Sequence, residues 1–545
     1  MKRYIILTLS LLLATGSFAQ KTDLLPPPII PYWAFGHWIW EDERNTREAE
    51  EALVNGYLDH NIPVKVLLID SPWMTQYNDF AWDEAKYPNP QQMIDNFHNK
   101  GIRVVAFYTG CLNNSAYVGS KQKCKTYDFA VENNFCVNNN RESKWFKGPA
   151  VHVDPTNPEA KKWWHTQVDV LHKMGIDGAK VDFGFAWFGD SILTSIGKLS
   201  RRQFGFQYYS DAFDYNVSRN PEFVAMTYAW SGRGLMGFPS KSHVNWLGDF
   251  NGDWKGIKAQ LKNIYLSANY GFSGIGCEIG GYWNVPSNKE QFVRYTQLSS
   301  LCPVMINGGS LGAFEHHLPW KHDQETVDIY RQFVALHYEL APYLFSASVD
   351  ANLKNKTIIR NGNIKEESHW LGDQLFVKAI TDSIPLTTIQ LPDENSWIDF
   401  WNNDKEYLPG SKFQGEYDLR HYPLFIKKGA ILPLQVTNNL LGHGDSSSAD
   451  KCTFLIYPNG KSSIVFHQPK GTGIAYLDIQ ITMNEDDRIL SVSADNENKM
   501  IFLVKYPVRP TAVMNADRWS YDAVRKMLCI EKAGKSFSLK ILPDK

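Results

Sequence analysis

Two aspartates stand where a two-carboxylate reaction would need them. In Gly175-Ile176-Asp177-Gly178-Ala179-Lys180-Val181-Asp182-Phe183-Gly184, a helix-like run from Lys161 to Met174 turns into a short apolar strand, and Asp182 falls where that strand meets a glycine-marked loop. In Asn245-Trp246-Leu247-Gly248-Asp249-Phe250-Asn251-Gly252-Asp253-Trp254, Asp249 again follows a strand-like run, His243 to Leu247, and precedes a helix. Groups at the carboxyl ends of strands in a parallel α/β barrel point into one shared cleft. A lone acid there fits a helix cap or a surface ion pair equally well. Two such acids fit glycoside hydrolysis, in which one carboxylate attacks the anomeric carbon or stabilises its charge and the other protonates the leaving oxygen.

Positioning the pair takes a large framework. Trp33 to Trp38 reads as a first buried strand, and Val64 to Asp70 as a second β-rich run ending in an acid, with a charged helix-period segment, Asn45 to His60, between them. A helix over Gln91 to Asn99 and a strand over Arg103 to Tyr108 set the βαβα rhythm of a parallel sheet. Thr109 to Ala160 breaks it and reads as a loop-rich insertion over the active face. Strand four ends at Asp182, and Phe223 to Tyr228, His243 to Leu247, Ser273 to Cys277 and Cys302 to Ile306 supply the remaining four, so that eight strands close a barrel. After a helical segment, Val327 to Leu344, short apolar runs alternate with Asn, Gly and Pro turns, an all-β texture. The expected fold is α/β: a (β/α)8 TIM barrel over 31–352, then two C-terminal all-β sandwiches, 353–441 and 442–545. The second opens on a Ser/Gly/Asp stretch, Gly442 to Asp450, read as a linker, and no large N-terminal β-sandwich precedes Trp33.

The whole-chain properties narrow the partner. With 545 residues, a formal charge of -2 and 14% aromatic residues including 18 Trp, the chain has no basic excess for nucleic acid or anionic membranes. Flat rings suit stacking on sugar faces, although most of these Trp must fill cores. Lys2 and Arg3, an apolar run from Tyr4 to Leu13 and the small residues Gly16-Ser17-Phe18-Ala19 have the layout of a signal peptide cleaved after Ala19, with 20–30 as a linker. That layout predicts a periplasmic or secreted protein without membrane insertion. Seven cysteines have no metal-type spacing, and one bridge among Cys111, Cys124 and Cys136 is allowed.

These residues resemble glycoside hydrolase family 31, the retaining α-glycosidases of the α-glucosidase and α-xylosidase type, from about Pro28 to Pro433. Asp79-Phe80-Ala81-Trp82-Asp83-Glu84-Ala85-Lys86-Tyr87-Pro88-Asn89-Pro90 is similar to the segment after that family's second strand. The resemblance puts Asp182 on the nucleophile, Asp249 in its Trp-x-Gly-Asp motif on the acid/base, Arg233 on the arginine sixteen residues earlier, and Asp70 on the substrate-binding acid after strand two. It implies a covalent glycosyl-enzyme, retained configuration, an oligosaccharide or glycoside substrate, and no cofactor or metal. Phe185 stands where the family commonly has Glu, Glu278 where it has Asp, and Asn307-Gly308 where it offers His. These departures point away from glucose in the usual mode. An α-galactosidase is the first expectation, with α-glucosidase, α-xylosidase and α-N-acetylgalactosaminidase as alternatives.

Secondary roles follow. Asp70 and Glu278 are sugar-hydroxyl acceptors, with capping or ion pairing as the plainer role. Lys180 shares the Asp182 strand face and could donate to a hydroxyl or pair with a neighbouring acid. Trp73 and Trp246 are pocket walls or core, and Asn307 is a ligand or a turn residue. His37 reads as a satisfied core histidine, Asp177 as structural and Asp253 as a helix cap. Two other classes remain: a barrel that binds carbohydrate without cleaving it, and a metal centre at Glu315-His316-His317, weakened because adjacent histidines do not share a face.

Overall fold

The computed structural model describes residues 25–42, 44–115, 123–182, 184–231, 234–282, 285–309, 314–383, 386–402 and 405–543. The signal-peptide stretch and Arg233 lie outside the described residues. Eight parallel strands form one sheet: β1 (His37–Glu41), β2 (Val66–Ile69), β3 (Arg103–Tyr108), β4 (Gly178–Val181), β5 (Val224–Tyr228), β6 (Val244–Trp246), β7 (Gly276–Ile279) and β8 (Val304–Gly309). Their order is β6-β5-β4-β3-β2-β1-β8-β7. The two ends meet through a parallel bridge between Asn245 and Ile275, with the Asn245 amide donating to the Gly274 carbonyl at 2.8 Å, so the sheet closes into a barrel.

Helices surround it because their apolar residues recur on one face. In α1 (Arg47–Asp59), capped by the Thr46 hydroxyl, Leu53, Val54 and Tyr57 are buried. In α2 (Pro90–Asn99) Met93, Ile94 and Phe97 face inward, and in α3 (Pro158–Lys173) Ala160, Trp164, Val168 and Leu171 do. Then come α4 (Arg201–Arg219), α5 (Trp254–Asn269), α6 (Lys289–Ser300) and the long α7 (Gln324–Lys354). Between β5 and β6 the described residues hold a short antiparallel pair, Trp230–Ser231 with Gly234–Leu235, and a 3-10 turn, Pro239–Lys241, in place of an α-helix. None of the helices among the described residues is long and apolar enough to cross a membrane.

Three local expectations are corrected. Trp33 lies not in a strand but in a 3-10 turn, Tyr32–Phe35, opened by Pro31, and β1 begins only at His37. The stretch reads as one strand because Trp33 and Trp38 are both buried, their rings stacked 5.9 Å apart. β8 does not stop before Asn307-Gly308-Gly309 but runs through it. Those glycines serve close approach: a Cβ on Gly308 would sit 2.2 Å from the Trp40 ring, and one on Gly309 2.3 Å from the His317 ring. Gly442 to Asp450 is no loose linker, since buried His443 pairs with Glu339 of α7 at 2.6 Å.

The insertion after β3 holds a small antiparallel sheet, Cys111–Asn113, Ser143–Trp145 and Gly148–His152. Cys111, Cys124 and Cys136 are buried thiols, not a bridged pair. Beyond α7 the chain is all-β. A six-stranded sheet between Ile359 and Lys427 adds residues such as Leu375, Trp397 and Phe425 to the barrel's own core. A second sheet, built on Ile431–Leu434, Cys452–Ile456, Lys461–Pro469, Tyr476–Asn484, Ile489–Lys505 and Met527–Leu542, has a separate core around Phe454, Phe466, Phe502 and Leu528.

Candidate active site

The strands run parallel, so their final residues gather at one rim. Asp42 follows β1, Asp70 follows β2, Asp182 follows β4, Asp249 stands three residues past β6, and Glu278 lies within β7. The Asp182 backbone is held on both sides: its amide donates to the Tyr108 carbonyl at 3.1 Å and its carbonyl accepts from the Tyr208 hydroxyl at 2.9 Å. Its residue is only 8% exposed, whereas Asp249 is exposed. Gly248, at φ +98°, makes the turn that brings Asp249 out of the strand.

Lys180 ties the rim together. Its Nζ donates to Asp70 Oδ2 at 2.6 Å and lies 4.6 Å from the ring centre of Trp40 and 4.9 Å from that of Trp246. Burial pushes the ammonium down, but Asp70, then Asp182 and Glu278, outweigh it and raise its pKa. Of the two expected alternatives for Lys180, the structure shows the ion pair: it is paired with buried Asp70. Removing one partner of such a buried pair costs about 3–5 kcal/mol.

Glu278 is 3% exposed, and its Oε2 has no hydrogen-bond partner among the described residues. Burial pushes its pKa up to about 8; Lys180 opposes the shift while Asp249 and Asp70 add to it. Tyr228, at the end of β5, lies within electrostatic reach of Asp249, Asp182 and Glu278, and its ring sits 4.0 Å from that of Trp246. Trp246, 1% exposed, thus forms the floor beneath Lys180.

Sequence reasoning missed a second group. Asp42 accepts from the Tyr282 hydroxyl at 2.7 Å, and the Tyr282 ring stacks on Trp40 at 5.8 Å. Burial, then Asp70, raises the Asp42 pKa to about 7 against the pull of Lys147 and Lys180. The one signal was its place directly after an aromatic strand, but Glu41-Asp42-Glu43-Arg44 has the look of a solvated charge run.

Two expected ligands do not reach the cleft. Trp73 is fully buried, donates its indole N–H to the Phe107 carbonyl at 2.7 Å and packs on Trp82 at 4.6 Å, so it is core. Asn307 points outward from β8: its amide donates to Tyr57 Oη at 2.7 Å, the His317 carbonyl at 2.8 Å and Tyr330 Oη at 3.0 Å. Phe185 packs behind the Asp182 strand end against Phe204, Tyr208 and Tyr209. His37 is a core histidine bonded to Tyr330, Asp177 holds His98 and Arg103, and Asp253 caps α5. At the third cluster, Glu315 pairs with Arg44 and Lys321, while buried His317 bonds the Ile279 carbonyl. Among the described residues, no group of three His, Cys, Asp or Glu side chains is placed to hold a metal. A cavity of about 580 Å³ lies between α7 and the C-terminal sheets, lined by none of the strand-end residues.

A closed parallel barrel with acids gathered at the carboxyl ends of its strands is the TIM-barrel class of enzyme scaffold. The glycosyl hydrolases family 31 TIM-barrel domain matches residues 27–347 and the glycosyl hydrolase family 31 C-terminal domain matches residues 342–432, so the chain belongs to family 31. An alpha-xylosidase of Saccharolobus solfataricus is 24% identical over 509 residues, covering 85% of this chain and 64% of that protein. The fold is similar to that of a cycloalternan-forming enzyme from Listeria monocytogenes in complex with a pentasaccharide substrate, with TM-score 0.83 at 21% identity over 96% of this chain and 55% of that one. A family 31 dextranase of Flavobacterium johnsoniae, complexed with glucose, gives TM-score 0.83 at 19% identity over 95% of this chain and 71% of that one. The chain thus spans less than two thirds of that relative's length.

Proposed function

We propose that the chain is a retaining exo-α-glycosidase in which Asp182 is the nucleophile and Asp249 the acid/base. What supports this reading is the placement of both acids after strands of one barrel, with Tyr228 as an electrostatic neighbour of both, Lys180 of Asp182 and Glu278 of Asp249. Asp182 attacks the anomeric carbon as the leaving oxygen takes the Asp249 proton, giving a glycosyl ester. Asp249 then deprotonates water, which attacks the same carbon and releases Asp182, so configuration is retained. Lys180, an electrostatic neighbour of Asp182, puts a positive charge near the group that must attack. Asp249 reaches solvent and can renew its proton between turnovers. Asp70 and Lys180 together supply an acceptor and a donor for sugar hydroxyls, and the resemblance to family 31 gives Arg233 the role of the arginine that precedes the acid/base.

For the sugar we put forward an α-galactoside, on the Phe185, Glu278 and Asn307 departures and the pairing of Lys180 with Asp70. An α-xyloside or α-glucoside is the second reading, favoured by the names of the relatives above. The N-terminal layout supports export from the cytoplasm. Turnover of aryl α-galactoside, α-glucoside, α-xyloside and α-N-acetylgalactosaminide by the wild type and D182N is the test. Hydrolysis by the wild type, galactoside fastest, and none by D182N is expected. A faster xyloside or glucoside replaces the sugar, and no turnover of any leaves a barrel that only binds.

A further inference from the structure

Lys147 has no place in the chemistry above, yet the fold carries it to the rim. Trp145 of the insertion pairs with Gly148, which leaves Phe146 and Lys147 as a two-residue hairpin turn. That tip is anchored: the Trp145 indole N–H donates to Asn113 Oδ1 at 2.8 Å, and the Asn113 amide donates to the Lys147 carbonyl at 2.9 Å. The Trp145 ring, 2% exposed, stands edge-on to Tyr77 at 5.7 Å. Held this way, the Lys147 ammonium lies 5.7 Å from the Tyr77 ring centre and 5.3 Å from that of Phe146. It is also within electrostatic reach of Asp42 and Asp70.

Asp42 and Asp70 therefore share Lys147 and Lys180 as electrostatic neighbours, and Lys180 is bonded to Asp70. The strand order says on which side of the mouth these acids stand. In a ring of eight, β1 stands opposite β5, and β2 opposite β6. A sugar whose anomeric carbon lies between Asp182, after β4, and Asp249, after β6, turns its opposite edge, carbons 4 and 6, toward Asp42 and Lys147. A hydroxyl both donates and accepts, whereas an ammonium only donates and a carboxylate only accepts. One hydroxyl set between the two accepts from Lys147 and donates to Asp42.

On the retaining glycosidase reading above, we propose that Lys147 and Asp42 are specificity-determining residues that bind one hydroxyl of the terminal sugar on the edge remote from its anomeric carbon. The hairpin tip is thus part of the sugar pocket, not a cover over it.

The test is kcat/KM of the wild type, K147M and D42N on the preferred aryl α-glycoside and on its 4-deoxy and 6-deoxy analogues. Each variant should lose about 10- to 100-fold on the parent, as for a hydrogen bond to a charged group. On one deoxy analogue, each should match the wild type within about threefold, because the partner hydroxyl is already gone. Unchanged melting temperatures establish that both variants fold, and D42N carries the test if K147M does not. Equal losses on parent and both analogues, or no loss on the parent, overturn the assignment of Lys147 and Asp42 while leaving the glycosidase reading intact. No turnover by the wild type on any glycoside overturns both.

Discussion

The two sides of the barrel mouth use the same kinds of residue and hold them differently. On the side of β4 and β6, Asp182 is 8% exposed with its backbone fixed by Tyr108 and Tyr208, while Asp249 is exposed beyond a glycine turn. On the side of β1 and β2, Asp42 accepts from Tyr282, whose ring stacks on Trp40, Asp70 pairs with Lys180 over the Trp40 ring, and Lys147 is an electrostatic neighbour of both acids. Unequal solvation lets two acids divide the work of nucleophile and proton donor. Neighbouring ammonium groups act differently: they oppose the upward push of burial on an acid such as Asp42. On the proposed reading, the first side would set whether a bond breaks and the second whose bond it is.

Loss of the proton donor should separate the sides most sharply. D249A should lower kcat by about 10²- to 10⁴-fold on glycosides with poor leaving groups, the range of general acid catalysis. A dinitrophenyl glycoside, whose leaving group departs without a proton, should lose far less in its first step. Steady-state and burst kinetics on the two substrates check this, and equal losses on both would erase the distinction between Asp182 and Asp249.

A smaller effect lies at Glu278, between the two sides. Its folded pKa, about 8, exceeds the ordinary 4.5 because the group is buried. Between those values the folded protein holds a proton that the unfolded chain has lost, so stability falls as pH rises from about 4.5 to about 8. Glutamine cannot ionise and escapes that loss. From pH 5 to pH 9, the melting temperature of E278Q relative to the wild type should shift in the variant's favour by about 2–4 °C. A flat difference across that range would mean that Glu278 is not held neutral.

Much of this was legible in the sequence, and what was not has identifiable causes. The β3 span Arg103–Tyr108 and the strand ends at Asp182 and Asp249 follow from period and punctuation, because a buried parallel strand is a short apolar run closed by a glycine-bearing loop. Trp33 was misplaced because buried turns and buried strands are equally apolar. Asn307 was misread because glycine marks both turns and close packing, and only coordinates show the Trp40 ring against Gly308. Asp42 and Lys147 were missed for a third reason. Neither lies in a periodic or motif-bearing run, and they come together only when a hairpin 105 residues away in sequence folds over the end of β1.

The central claim is that Asp182 forms a covalent bond to the sugar, and a fluorosugar that slows deglycosylation tests it most directly. Intact-protein mass spectrometry after incubation with a 5-fluoro glycosyl fluoride of the preferred sugar should show one added glycosyl unit per chain. Peptide mapping should place that unit on Asp182, and D182N should acquire none. An adduct on any other residue, or turnover of the natural configuration to inverted product with no adduct at all, would contradict the account.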